Sequence, residues 1–364
     1  MKELKFHIEK EALLPLQEFA VQTLKRLISI PSLSGQEVKV ADFLQKEIQN
    51  FGLLVQRWKN NLWVCYPHFD PAKPTILLNS HLDTVKPNPS YNRDPFLPSL
   101  ESGKLYGLGS NDAGGALSAI LSTFLYFRSD LSLPYNLLFA ATAEEENSGA
   151  DGISSVLDKI PTPAFALVGE PTGMELAIAE KGLIVLDCLV KGIAGHAART
   201  EGENAIYKAL PALEWFRTFS FEKTSPLLGK VKMTVTTLQA GTQHNVIPAS
   251  CKFAVDIRTT EKYTHEEILE TIGKYLDCEI IPRSIRLRPS FLPEVHPLIQ
   301  AAEKLGIPTF GSSTLSDQAL MSWPSVKIGP GVSARSHSAD EFIYVEEVRA
   351  AVEIYIQLIK QITK

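Results

Sequence analysis

The sequence predicts an α/β protein: a mixed, mostly parallel sheet with helices on both faces, plus an inserted ferredoxin-like α+β domain. Three observations predict it. Short apolar runs of strand length alternate with helical stretches as far as about residue 173. The order then changes to strand, helix, strand, strand, helix, and from about residue 290 the alternation resumes. The 364 residues also exceed what one hydrophobic core usually accommodates, so two domains are expected. Residues 1–175 and 290–364 would form one discontinuous domain, and residues 176–289 the insert.

The elements follow in chain order. Over residues 16–30, Phe19, Leu24, Leu27 and Ile28 recur at helical spacing until Pro31 ends the pattern. A second helix covers 38–51. The apolar runs 62–65, 75–79, 136–141 and 164–168 have strand length, and helical stretches at 116–127 and 154–159 separate them. Such alternation gives an open sheet covered by helices. Within the insert, 176–190 reads as strand or hairpin, 204–219 as helix, 231–238 and 251–258 as strands, and 265–276 as helix. An amphipathic helix at 345–362 closes the chain, and no internal repeat is visible.

Composition narrows the function. A hydrophobic fraction of 45% and a charged fraction of 21% are those of an ordinary globular protein. The net charge of -5, without long single-sign runs, offers no footprint for nucleic acid or an anionic membrane, so a small-molecule partner is expected. Cys65, Cys188, Cys251 and Cys278 lie far apart with no C-x-x-C pair, and read as buried thiols of a reducing compartment. Residues 1–10 lack the apolar core of a signal peptide, and no apolar run reaches the roughly 20 residues that span a bilayer. A cytoplasmic protein is expected.

Chemistry gathers after the apolar strands, where an open α/β sheet places its functional groups. His81 follows the strand that begins at residue 75, and Asp83 stands two positions on. A metal-bound imidazole usually donates its other N–H to a carboxylate, a role that suits Asp83. By itself H-x-D is more readily a hydrogen-bonded surface pair than a metal ligand. Residues 107–115 read GLGSNDAGG; Asp112 there is either a solvated turn residue near a helix N-terminus or a carboxylate bridging two metals. Glu144, Glu145 and Glu146 end an apolar run, where three adjacent carboxylates repel one another unless a dication supplies positive charge. One of them, Glu146, can ligate metal while its neighbour Glu145 acts on a water as general base. Glu170 repeats the pattern at the end of 164–168, held extended by Pro171. His337, between serines and after Gly329-Pro330-Gly331, is an ordinary loop histidine unless the others converge on it. Together these side chains supply the nitrogen and oxygen ligands of a hydrolytic zinc site.

The whole pattern resembles a family. Ile30-Pro31-Ser32, Ser80-His81-Leu82-Asp83-Thr84-Val85, the triple glutamate, Gly169-Glu170-Pro171-Thr172 and the late glycine-rich segment ending in His337 are similar to the zinc aminoacylase and carboxypeptidase superfamily. That superfamily includes acetylornithine deacetylase and succinyl-diaminopimelate desuccinylase. The resemblance implies two zinc ions, replaceable by Co2+ or Mn2+, with His81, Asp112 and Glu170 on one and Asp112, Glu146 and His337 on the other. It implies Glu145 as catalytic base and proton donor, and Asp83 as the group that orients His81. It makes 176–289 a lid and dimerisation domain of a homodimer, in which His196 stabilises the oxyanion of a neighbouring subunit's substrate. Arg258 would clamp a substrate carboxylate with its planar fork, while Asn245, Lys181 and Gly331 are further substrate-binding candidates. Asp112 is followed by Ala113-Gly114-Gly115, whereas the family usually has Met-Lys-Gly-Gly. Residues 313–318 resemble the deacetylases of arginine biosynthesis more than the desuccinylases.

The expected activity is hydrolysis of an N-acyl group, acetyl or succinyl, from an ornithine- or citrulline-like amino acid. Alternatives are a dipeptidase or carboxypeptidase on the same scaffold, and a metal-binding module without activity. A purely structural metal is disfavoured because structural zinc prefers thiolate-rich, closed coordination.

Overall fold

The computed structural model describes residues 10–363. The N-terminal stretch expected to carry no signal peptide lies, through residue 9, outside them. The principal elements in chain order are α1 (Lys10–Ile28), α2 (Val38–Gln49), β1 (Gln56–Trp58), β2 (Asn61–Cys65), β3 (Thr75–His81), α3 (Gly115–Phe127), β4 (Asn136–Thr142), β5 (Phe165–Val168) and β6 (Leu176–Glu180). There follow β7 (Gly182–Lys191), α4 (Ala205–Thr218), β8 (Lys232–Ala240), β9 (Ser250–Thr259), α5 (His265–Tyr275), β10 (Glu279–Ser284), α6 (Pro297–Leu305), β11 (Ser325–Lys327) and α7 (Val345–Ile362). They form two compact units. The first holds the chain through Ile178, Leu292–Phe310 and everything from Ser316 onward; the second holds Ala179–Phe291 and Gly311–Leu315.

The sheet of the first unit runs in the order β1, β2, β4, β3, β5, β11, β6. Its centre is parallel: β3 pairs with β4 and with β5, and β11 pairs with β5. The flanks are antiparallel. Central strands buried on both sides must be apolar throughout, and every residue of β3 and β4 is buried. Helix α3 is apolar nearly all round and buried from Gly115 to Leu125, as a helix must be when it lies between a sheet and further helices. It packs on β3 and β4 on one side and on α1 and α7 on the other. The opposite face of the sheet, with Trp63, Leu77, Leu138, Ala166 and Val168, is covered by Ile153, Val156 and Ile160.

Some local expectations change. The stretch 154–159 is a single 3-10 turn, Ile153–Ser155, followed by turns. Gly152 and Pro161 bound it too closely for a stable helix. The run 176–190 is two strands with separate partners: β6 pairs with β11, whereas β7 pairs with β9 and β10. Cys188 and Cys251 are buried thiols, but Cys65 and Cys278 are half-buried. Among the described residues no helix is long and apolar enough to cross a membrane.

In the second unit the antiparallel sheet runs β8, β9, β7, β10. In strand order that is second, third, first, fourth, the ferredoxin-like arrangement, with α4 and α5 sharing its core. Alternating Ile184, Leu186, Cys188 and Val190 of β7 face that core. The fourth strand, β10, escapes a periodicity search because it is an edge strand carrying Pro282, with a register shift beside it.

Candidate metal centre

Strand register decides which side chains meet. In the parallel pairs His81 stands beside Thr142, and Asn79 beside Val168. Two residues past Val168 the chain reaches Glu170, level with His81, and just past Thr142 it reaches the triple glutamate. The carboxyl ends of three neighbouring strands therefore present their acids and histidine at one edge, as open α/β sheets do. Asp112 arrives on the glycine-rich loop before α3, where the Asp112–Ala113 peptide is cis. His337 arrives on the loop before α7.

All five expected ligands converge. His81, Asp112 and Glu170 form one group and Asp112, Glu146 and His337 another, the candidate ligand atoms of each lying within 4.8 Å of one another. Asp112 belongs to both. His81 Nε2 lies 3.3 Å from Asp112 Oδ1 and 4.0 Å from Glu170 Oε1. His337 Nε2 lies 2.9 Å from Glu146 Oε2 and 3.8 Å from Asp112 Oδ2. On the far side of its ring, His81 Nδ1 lies 2.9 Å from the Asp83 carbonyl and 3.5 Å from the Asp83 carboxylate. That carboxylate accepts Ser34 Oγ–H at 2.7 Å and the backbone N–H groups of Glu145 and Glu146 at 3.0 and 3.1 Å. Asp83 thus touches both His81 and the glutamate loop.

The electrostatics test whether cations fit. Burial, then the charge of Glu170, pushes the Glu145 carboxyl well above its ordinary range, and burial, then Asp112, does the same to Glu170. For Asp112, burial is outweighed by hydrogen bonding and charge from His81, which hold it below the usual range. His337, hydrogen-bonded to Glu146, is pushed up to about 9. The buried Oε1 of Glu170 accepts no hydrogen bond, although a buried charge requires a partner. Glu145 also accepts none at its side chain among the described residues. The positive charges of His81 and Lys327 at Glu170, and of His81 at Glu145, do not offset burial and the neighbouring acids. Two nitrogens and three carboxylates in two open groups sharing one acid fit a pair of divalent cations.

The remaining candidates lie in the second unit, except Gly331. His196 is exposed on the two-residue strand Gly195–His196, which pairs with Val246–Ile247, and Ala197 N–H donates to the Asn245 carbonyl at 3.0 Å. Arg258, one residue before the end of β9, lays its fork on Asp256, at 2.9 and 3.1 Å. Burial lowers the Lys181 ammonium, with Lys232 and Arg258 adding repulsion, and its Nζ donates to the Lys230 carbonyl at 3.3 Å. Gly331 has φ 77°, and a Cβ there would lie 2.2 Å from Asn111 Oδ1.

Several buried acids near the centre were not among the expected site residues. Asp317 accepts Thr142 Oγ1–H at 2.6 Å, and burial pushes it up to about 6. Glu37, fully buried, accepts backbone N–H groups of Gly35 and Glu144 at 2.7 and 3.2 Å. Glu341 accepts three backbone N–H groups of the Asp112 loop. Its place four residues after His337 was the one available signal.

Comparison with known proteins agrees. Residues 77–361 match the model of peptidase family M20/M25/M40. Succinyl-diaminopimelate desuccinylase of Xylella fastidiosa is 24% identical, over 92% of this chain and 96% of that protein. The protein of the same name from Acidiphilium cryptum is 28% identical, over 81% of this chain and 83% of the relative. Among solved structures, aminopeptidase PepT from Bacillus cereus superposes with a TM-score of 0.76 at 19% identity, covering 96% of this chain and 99% of that one. A dinuclear metal-binding peptidase of the M20 family from Bacillus subtilis gives 0.72 at 16% identity, covering 95% and 98%. With the family model spanning most of the chain, and with two groups of side chains that could hold metal ions, this protein belongs to peptidase family M20/M25/M40 and is a metal-dependent hydrolase.

Proposed function

We propose that this hydrolase is a zinc enzyme that removes an N-acyl group, acetyl or succinyl, from the α-amine of an ornithine- or citrulline-like amino acid, in arginine biosynthesis. The observation that carries the reading is Asp112 shared between two candidate ligand groups, with the carboxyl of Glu145, raised by burial and then by the charge of Glu170, beside them. The similarity to desuccinylases, which are named for removing an acyl group from an amino acid, supports it. Zinc held by His81, Asp112 and Glu170, and by Asp112, Glu146 and His337, would polarise the scissile carbonyl and acidify the attacking water.

The chain's own part is proton transfer and placement. Glu145 takes a proton from the water whose oxygen bonds to the acyl carbon. As the carbon–nitrogen bond breaks, the Glu145 carboxyl returns that proton to the leaving nitrogen, so that a carboxylate and a free amine result. Asp83 steadies both His81 and the Glu145 backbone. In this reading Arg258, Asn245, Lys181 and Gly331 bind substrate, His196 acts from the second copy of a homodimer formed through residues 176–289, and the enzyme works in the cytoplasm. The test is a panel on purified, zinc-loaded protein: acetylornithine, acetylcitrulline, succinylated amino acids and dipeptides. Turnover confined to the acylated amino acids is expected. Turnover of dipeptides alone would replace the reading with a peptidase.

A further inference from the structure

We infer that Glu341 and Asn111 are positioning residues that lock the loop of Asp112 to the loop of His337, and so govern the second ligand group more than the first. The inference rests on the metal reading above. Glu341 is only 1% exposed, and both of its oxygens are committed. Oε1 accepts the N–H groups of Asn111 and Asp112 at 2.8 and 3.0 Å, and Oε2 accepts that of Gly109 at 3.2 Å. Asn111, beside Asp112, makes the reciprocal ties. Its Oδ1 accepts Val332 N–H at 3.1 Å, and its Nδ2 donates to the Val332 carbonyl and to Ser336 Oγ, both at 3.2 Å. Ser336, the neighbour of His337, hydrogen-bonds to the Asp112 carboxylate in turn. Gly331 leaves room for the Asn111 amide, because a Cβ there would overlap it.

The two ligand groups do not depend on these ties equally. His81 ends β3, and Glu170 lies two residues past the end of β5, where Gly169 N–H still donates to the Asn79 carbonyl of β3 at 2.7 Å, so these two ligands sit at or next to the sheet ladder while Asp112 lies outside any strand. Asp112, Glu146 and His337 are all loop residues; Glu146 is tied back by its N–H to Asp83 at 3.1 Å, whereas Asp112 and His337 have no strand next to them in the chain. Slack between the two loops therefore separates Asp112 from His337 before it disturbs His81 and Glu170. Glu341→Gln keeps the volume but turns an NH2 toward a backbone N–H, which leaves a buried donor without an acceptor.

The experiment titrates zinc alone into metal-free wild-type protein and Glu341→Gln, and records thermal melting of both without metal. Two equivalents are expected for wild type. In the variant the second should weaken tenfold or more and the first by less than about threefold, since loss of a ligand's supporting hydrogen bonds typically costs about 10–100-fold in metal affinity. The metal-free melting temperature should fall by no more than the few degrees that one unpaired buried donor costs. Wild-type binding of both equivalents by the variant overturns the inference, as does equal weakening of the two together with a larger fall in melting temperature, which would mark a merely structural role. Should Glu341→Gln fail to fold, Asn111→Ser cuts the same tie from the other loop and is judged by the same outcomes. Wild-type protein that binds no zinc would instead remove the metal reading itself, and this inference with it.

Discussion

Replacing Glu145 by Gln should separate chemistry from folding. Its carboxyl is raised by burial and by the charge of Glu170 above an ordinary value of 4.5. A raised carboxyl contributes stability below the unfolded value and loses it as pH rises toward the folded value, because only the unfolded chain then sheds the proton freely. Each pH unit in that window costs the metal-free fold up to about 1.4 kcal/mol, less what solvent screens at this half-buried side chain. Gln removes the cost, and no hydrogen bond is lost with it. Metal-free Glu145→Gln should therefore melt above wild type at pH 7, by about 2–4 °C for each kcal/mol recovered, with the gap closing toward pH 4.5. Zinc binding should persist, whereas turnover of the zinc-loaded variant should fall by about 10²–10⁴-fold with the loss of the acid–base group. Melting of the metal-free proteins across pH, paired with turnover at saturating zinc, decides the matter. A variant that melts no higher than wild type at pH 7, or that keeps its turnover, would refute the placement of Glu145 as an unpaired base among like charges.

Two further outcomes follow from the same coordinates. Gly331→Ala forces a side chain into φ 77° and against the Asn111 amide, so melting should drop by an amount equivalent to at least about 1–2 kcal/mol; an unchanged melting temperature would contradict the packing of Asn111 on this glycine. His265 is fully buried between Thr259 Oγ1 and the Ile285 carbonyl, and burial lowers its pKa from 6.5. Its stabilising contribution is complete above pH 6.5 and is lost as pH falls through the depressed folded value, so urea midpoints should decline on acidification and His265→Gln should flatten that part of the decline. Identical pH profiles for the two proteins would count against it.

Much of the site was legible because the chemistry is written in short segments. An acid placed directly after an apolar strand is visible in one dimension: His81 ends β3, the triple glutamate follows β4, and Glu170 follows β5. The insert was legible as a change in element order. What escaped was whatever depends on a distant partner. Pro282 hid the fourth strand of the insert, and Gly152 and Pro161 turned a helical-looking stretch into turns. No reading of the sequence singled out Glu37 or Glu341, and Asp317 only within residues 313–318, because their backbone and hydroxyl donors lie as far as 232 positions away.

By itself the sequence determined the α/β class and the inserted ferredoxin-like unit, because hydrophobic period is a local property, and its short motifs carried the resemblance that implied the candidate ligands. Only the tertiary structure decided that those ligands come together in the two groups sharing Asp112 that the resemblance implied, that Asp83 reaches the glutamate loop as well as His81, and that Glu341 ties two loops together. The physical reason is register. Parallel pairing sets His81 level with Glu170, and buried carboxylates take up backbone donors from segments that no spacing in the chain relates to them.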